Sequence, residues 1–390
     1  CIHQKVRMTA TSTVLVNWRR SLRRKSFWQV VLEDDIKEQG ITFNEGFAQM
    51  KDMYLAMKHA DKMYDDKLRS ASGMVGTDGG RLEQARLAGG SICGDFIMKV
   101  LEKAVKMGES NACMKRIVAA PTAGSCGVIP AVLISLEEEY GYSEDEITKG
   151  LIAAAGIGGV IAQRAFLAGA AGGCQAEIGS ASAMAAGAAV CLRGGDGQQI
   201  IQAAAMALKN LLGLACDPVG GLVEVPCVKR NTIGAVGALT AADMALAGVY
   251  SRIVPDEVID AMRNIGIAMP ACIKETGSGG LAVTPCARSM MQEQRNAAKA
   301  KIVYDVIDMY PDFFRGFAKT DSRSLMNVTF GLPTEALEKR FAAEAEELGM
   351  GGLKGHRSVG GLRASIYNAM PLAGCEKLAE FMEAFYKMHK

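Results

Sequence analysis

The sequence predicts a mainly α first domain followed by a small α/β C-terminal domain, and three observations carry that expectation. Up to about residue 291 almost no segment alternates apolar and polar residues with period two, so half-buried strands are not expected there. Residues 150–187 are dominated by Ala, Gly and Ile, a composition that lets helices pack with their backbones close together. From about Gln292 aromatic and β-branched residues become common, with the strand-like stretches SLMNVTF and RASIYN. The expected domains are therefore residues 26–291 and 292–390, with residues 1–25 unassigned.

Taken in order, the basic run Arg19, Arg20, Arg23, Arg24 and Lys25 has no apolar core or cleavage signal beside it, and reads as a frayed or foreign terminus. FWQVVLEDDIKEQG then predicts an amphipathic helix stopped at Gly40. NEGFAQMKDMYLAMKHADKMYDDKLRS predicts a longer helix with Phe47, Met50, Tyr54, Met57 and Met63 on its apolar side and His59 in solvent. SASGMVGTDGG, residues 70–80, breaks the helices with hydroxyls and glycines. A helix around Cys93–Met107 leads to the loop AAPTAGSCG, punctuated by Pro121, Gly124 and Gly127. There the Thr122 and Ser125 hydroxyls precede a helix start whose main-chain N–H groups suit a carboxylate; an ordinary N-capped helix accounts for the same residues. Glu137, Glu138 and Glu139 open a polar connection to Lys149 that reads as a solvated face. Further helices are expected over 200–212, over 231–248 and from Pro255, with a Gly-rich loop, ETGSGG, after them. In the last hundred residues, Thr334 and Gly349 bound a clear amphipathic helix, and a closing helix ends the chain.

Composition narrows the function. With a formal net charge of only +2 on 390 residues, nothing global points to nucleic acid or to a membrane surface. The most apolar stretch, residues 151–173, is interrupted by Gln163 and Arg164 and rich in glycine, which predicts a buried helix pair rather than a membrane span. Eleven cysteines without a secretory signal read as reduced thiols, so a cytoplasmic location is expected. Only four histidines are present, none of them between His59 and His356, so the usual acid–base residue is scarce.

Three thiols stand apart from the rest. Cys174 follows Gly172 and Gly173, Cys216 lies just before Pro218, and Cys227 follows Pro226. An iron–sulfur cubane needs thiolates on converging turns, and Gly lets the backbone approach a bulky core. Their separations of 42 and then 11 positions match none of the zinc-finger, zinc-ribbon or ferredoxin spacings, which use short C-x2-C pairs. On spacing alone, small buried hydrophobes in an Ala/Gly-rich core explain them equally well. Cys93, Cys113, Cys126, Cys191, Cys272 and Cys286 read as incidental.

The segments around these cysteines add more. GGCQAEIGSASAMAA, LACDPVGGLVEVPCVKRN, PTAGSCGVIPAVL and AADMALAGVYSRIVPDEVIDAM closely resemble the α chains of bacterial iron–sulfur-dependent L-serine dehydratases, from about Ser26 to about Met291. The resemblance implies that family's helical fold and a [4Fe-4S] cluster held by Cys174, Cys216 and Cys227. It also implies a substrate site near Ser70, Ser72 and Gly73, and makes Thr122, Gly124 and Ser125 a seat for the α-carboxylate of L-serine. Three ligands leave one iron open as a Lewis acid toward the substrate hydroxyl, and dehydration then gives pyruvate and ammonia without pyridoxal phosphate. Asp217, Lys229 and Glu177 are this segment's candidates for the base. The family's β chain carries a Ser-Ser-His-Thr-type motif absent here, so a β-chain partner is expected. An iron–sulfur L-cysteine desulfidase, taking sulfur where the other takes oxygen, is the alternative within this chemistry; a catalytically silent chimeric or assembly module is the alternative outside it.

The last hundred residues, with GHR and GGLRASIYNAMP, closely resemble the C-terminal small domain of phosphoserine aminotransferases. That resemblance matches His356, Arg357 and Arg363 to residues contacting a phosphorylated substrate. The large cofactor domain and its Schiff-base lysine have no counterpart, so no transamination is expected, and the join reads as chimeric.

Overall fold

In the computed structural model the described residues are 25–356 and 360–390; the basic cluster before Lys25, Arg357 and the His356 side chain lie outside them. The chain divides into two compact units at the Thr284–Pro285 peptide.

The regular elements of the first unit are helices, joined by loops and with one isolated bridge between Cys216 and Lys274 among the described residues. Its helices are α1 (Phe27–Gln39), α2 (Phe43–Lys62), α3 (Asp78–Leu87), α4 (Gly94–Ala112), α5 (Val128–Tyr140), α6 (Glu144–Arg164), the single turn α7 (Gly169–Gly172), α8 (Ser180–Leu192), α9 (Gly197–Lys209), α10 (Cys227–Leu246) and α11 (Pro255–Ala268). Local sequence sets several of their ends. Thr42 with Glu45, Ser143 with Glu146 and Asp196 with Gln199 form capping boxes that satisfy first-turn N–H groups. Gly40 and Gly141 end α1 and α5 in the left-handed region, where a side chain would be strained.

Helix α8 is the axis of this unit: it is buried from Ser180 to Val190 and packs against α5, α6, α9 and α10. Its SASAMAAGAA sequence makes that possible, because small side chains let four neighbours approach one rod closely. Glycines on α6 complete the fit; a Cβ at Gly158 would meet Met184 Sδ at 2.8 Å, and one at Gly150 would meet Leu192 Cγ at 3.1 Å. The N-terminal end of this axis carries the segment with Cys174.

Four details differ from the sequence expectation. Helix α2 stops at Lys62 rather than near Ser70, and Met63 is 61% exposed instead of joining the apolar face. The 70–80 loop ends early, since Asp78 opens α3 and places Gly79 and Gly80 inside a helix that propensity alone disfavours. A buried carboxylate compensates: Glu109 accepts from the backbone N–H groups of Gly76, Asp78 and Gly79. Glu137 is not solvated; it accepts from the Tyr54 hydroxyl at 2.7 Å and pairs with Lys58 at 2.9 Å.

The second unit is the small α/β body. Helix α12 (Pro285–Met309) runs without a break through the change in composition near residue 292. Strands β1 (Arg315–Gly316), β2 (Asn327–Gly331), β3 (Lys354–His356) and β4 (Gly360–Ser365) form an antiparallel sheet in the order β1-β2-β4-β3. Val328 pairs with Ala364 and Phe330 with Leu362, all on the buried face, against α13 (Glu335–Glu347) and α14 (Leu372–His389). Arg363 lies opposite Thr329 on the other face. Phe314, Phe330, Phe341 and Phe385 form its centre, apart from the aliphatic core of the first unit.

Candidate metal centre

The three predicted thiols are each fixed by a different local device. Cys174 sits between α7 and a single π-helical turn, Gln175–Gly179, that feeds α8; such turns are frequent at functional sites. Gln175 locks this turn: its amide donates to the carbonyls of Gly172 at 2.9 Å and Met262 at 3.1 Å, and its Oε1 accepts from Gly213 N–H at 2.9 Å. Cys216 is held as in a sheet, donating its N–H to Ile273 O at 2.9 Å and accepting from Glu275 N–H at 2.7 Å. The ETGSGG loop is thereby pinned beside it. Cys227 is the first residue of α10.

The Sγ atoms of Cys174 and Cys216 and a carboxylate oxygen of Glu177 lie within 4.8 Å of one another, all three residues buried. Cys227 stands outside this tightest set, yet its charge acts on Cys216 and that of Cys174 acts on it. Cys174 and Cys216 share a hydrogen bond that draws the Cys174 thiol below its usual range and raises that of Cys216. Burial, reinforced by the Cys174 charge, pushes Cys227 up to about 12. For Glu177, burial raises the carboxyl to about 7 against an opposing hydrogen bond from Thr122.

The backbone closes over this group. A Cβ at Gly169 would stand 2.9 Å from Cys216 Sγ and 2.9 Å from Glu177 Oε2, so only glycine fits. Gly124 faces the same carboxylate, at 3.0 Å from its Cβ position. The PTAGSCG loop thus lines the centre, with the Thr122 and Ser125 hydroxyls 3.1 Å apart. Asn231 ties it to Cys227, donating to Gly124 O and Cys227 O while accepting from Gly127 N–H. All three cysteines are free thiols, and soft sulfur donors beside one carboxylate suit a thiolate-bound metal centre.

The second predicted loop joins through a residue that the sequence reading did not single out. Ser70 and Ser72 both donate to Glu224, a buried acid three positions before Cys227, and Gly73 turns between them and Val75 with φ 75°. The only signal in the sequence is one acid inside the apolar run GLVEVPC.

The candidates for the base separate clearly. Lys229 is 74% exposed and paired with Asp78 at 3.2 Å. Asp217 is buried with both oxygens occupied, by Arg230 at 2.9 Å and by Leu281 N–H at 2.8 Å. Only Glu177 stands against the thiols. His59 is exposed on α2.

The serine dehydratase alpha chain family matches residues 23–282. A probable L-serine dehydratase alpha chain of Bacillus subtilis (strain 168) is 46% identical over 261 residues, 67% of this chain and 87% of that one. An L-serine dehydratase of Streptomyces coelicolor is 46% identical over 182 residues, covering 46% of this chain but only 40% of its own length. Among solved structures, phosphoserine aminotransferase from Bacillus circulans subsp. alkalophilus, of the family that the C-terminal segment resembles, is 38% identical over 40% of this chain and 38% of that one, with a TM-score of 0.26. On the family match and the relatives together, this chain belongs to the serine dehydratase alpha chain family.

Proposed function

We propose that this chain is the α component of a two-part L-serine ammonia-lyase that converts L-serine to pyruvate and ammonia, with a [4Fe-4S] cluster held by Cys174, Cys216 and Cys227. The observation that carries the reading is the convergence of Cys174, Cys216 and Glu177 within 4.8 Å in the core of a serine dehydratase α-type chain. When bound, the cluster supplies a Lewis acid that withdraws charge from the departing hydroxyl. The chain's own residues do the rest. Thr122, Gly124 and Ser125 receive the substrate carboxylate, and the loop of Ser70, Ser72 and Gly73, held by Glu224, closes the other side. Glu177, buried beside the thiols, holds a proton for the leaving oxygen. Loss of the α proton and of water gives aminoacrylate, which tautomerises and hydrolyses to pyruvate and ammonia. Asp217 and Lys229 are set aside as bases because their partners engage them.

The group that takes the α proton is assigned to a separate β chain. Support comes from the Streptomyces coelicolor relative, of whose length the match covers 40%, so most of that chain has no counterpart in the matched region. No pyridoxal phosphate is required. Among the described residues no helix is long and apolar enough to cross a membrane, and we assign the protein to the cytoplasm on its thiol content.

The test is anaerobic reconstitution with iron and sulfide, followed by assays with L-serine and L-cysteine side by side in the presence of a β chain. Pyruvate from serine is expected. Sulfide release from cysteine alone would favour the desulfidase reading, and protein without iron would refute the centre.

A further inference from the structure

We propose that Arg230 is the positioning residue that holds the Cys216 and Cys227 segments in register for the cluster, an inference that rests on the reading of those thiols as its ligands. Arg230 lies three positions after Cys227 on α10, so the two side chains leave neighbouring points of one helix face. Its guanidinium then grips both flanks of Cys216: Nη1 donates to Ala215 O at 2.6 Å and Nη2 to Asp217 Oδ1 at 2.9 Å. One side chain on the helix that begins at Cys227 therefore clasps the Cys216 segment on both sides.

The brace extends one step further. Asp217 Oδ2 accepts from Leu281 N–H at 2.8 Å, and the tight approach of Gly280 to Asp217 leaves no room for a Cβ there. The ETGSGG loop is thus fastened at both ends, at Cys216 through Ile273 and Glu275 and at Asp217 through Leu281. The arrangement is well buried, with side-chain exposures of 17% for Arg230 and 7% for Asp217. Only a planar fork with several N–H donors can bond two points on either side of one residue; a lysine ammonium brings the charge without the fork.

The experiment compares wild type, Arg230→Lys, Arg230→Gln and Asp217→Asn after anaerobic reconstitution. It reads iron and labile sulfide per chain, the concentration of a ferrous chelator that removes half the iron, and thermal melting of the cluster-free proteins. Loss of a group that orients metal ligands typically weakens binding by about 10–100-fold, and a shift of that size in chelator resistance is expected for both Arg230 variants. A merely electrostatic role would be rescued by lysine, so Arg230→Lys retaining iron like wild type overturns the bracing role. Asp217→Asn keeps the shape while weakening one arm, and a smaller shift in the same direction is expected. Should Arg230→Gln melt far below wild type, Asp217→Asn decides, and wild-type resistance there overturns the proposal. A wild-type chain that takes up no iron and sulfide would instead sink the cluster reading itself.

Discussion

Ser70 donates a hydrogen bond of 2.9 Å to Glu224 across 154 positions of sequence, and Ser72 donates to the same carboxylate oxygen. A loop of small residues with a glycine at positive φ is thereby fixed to the segment that delivers Cys227. Replacing Glu224 by Ala leaves two hydroxyls without their shared acceptor. Hydrogen bonds to a charged group are worth about 1.5–3 kcal/mol, so kcat/KM for serine in the complemented enzyme should fall by about 10–100-fold. Glu224→Gln, which keeps one acceptor, should lose less, and iron content should stay near wild type in both. Unchanged kcat/KM in Glu224→Ala would remove the loop from the site.

That contact also marks the limit of what the sequence discloses. The helices were legible because period and caps are local: Gly40, Thr334 and Pro255 bound elements where the rules place them, whereas the stretch to Lys149, read as a polar connection, holds the start of α6, capped by Ser143. The three thiols were legible through Gly and Pro around them and through resemblance. Glu224, Arg230 and Asn231 were not, because each matters through a partner at least 13 positions away in sequence and carries no mark of its own. Glu137 misled for the same reason, since an acidic triplet gives no hint that its first member meets Tyr54 83 positions earlier. The helix start at Asp78 escaped because Gly79 and Gly80 argue against it, and the Glu109 carboxylate that secures it lies on another helix.

The convergence of sulfurs gives a direct test. Cys174→Ser, Cys216→Ser and Cys227→Ser should each hold less iron than wild type after anaerobic reconstitution, whereas exposed Cys93 should be replaceable by Ser without effect. Iron and labile sulfide analysis with absorption spectra decides it. Full iron content in all three variants would show that these thiols are ordinary core residues.

Glu177 predicts a pH dependence for the cluster-free chain. Its carboxyl is raised by burial from 4.5 to about 7, so the folded state keeps a proton that the unfolded state has lost between those values. Below about 4.5 both states are protonated and the group costs nothing; stability then falls as pH rises and the loss is complete above about 7. The full effect is about 3 kcal/mol. Urea unfolding at pH 5 and pH 8 should show this decline in the wild type and a smaller one in Glu177→Gln. Parallel declines in the two proteins would mean that Glu177 is ionised in the folded chain.

The two units have separate cores, one aliphatic and one built around four phenylalanines. A chain ending at Thr284 should therefore fold and bind its cluster, and so should one ending near Met291. The full chain should show no pyridoxal-phosphate absorbance and no transaminase activity. Soluble truncated protein that cannot hold iron would make the C-terminal unit integral to the centre.

The last expectation concerns the division of labour with a β chain. In the first unit's described residues the histidine is His59, exposed on α2, so among them no histidine stands at the substrate seat. Glu177, with its carboxyl raised by burial to about 7, is assigned to the leaving oxygen, which leaves the α proton to another group. This chain alone should therefore bind a cluster yet turn over serine feebly, and adding the β chain should raise the rate by about 10²–10⁴-fold, the usual worth of general acid–base help. His59→Ala should leave the complemented rate nearly unchanged. Ser125→Ala and Thr122→Val should raise KM, because their hydroxyls lie 3.1 Å apart on the loop that faces Glu177. Asp217→Asn is the discriminating variant: if the chain alone were fully active and this change abolished turnover while iron stayed in place, the base would be internal, and the β chain would have some other task.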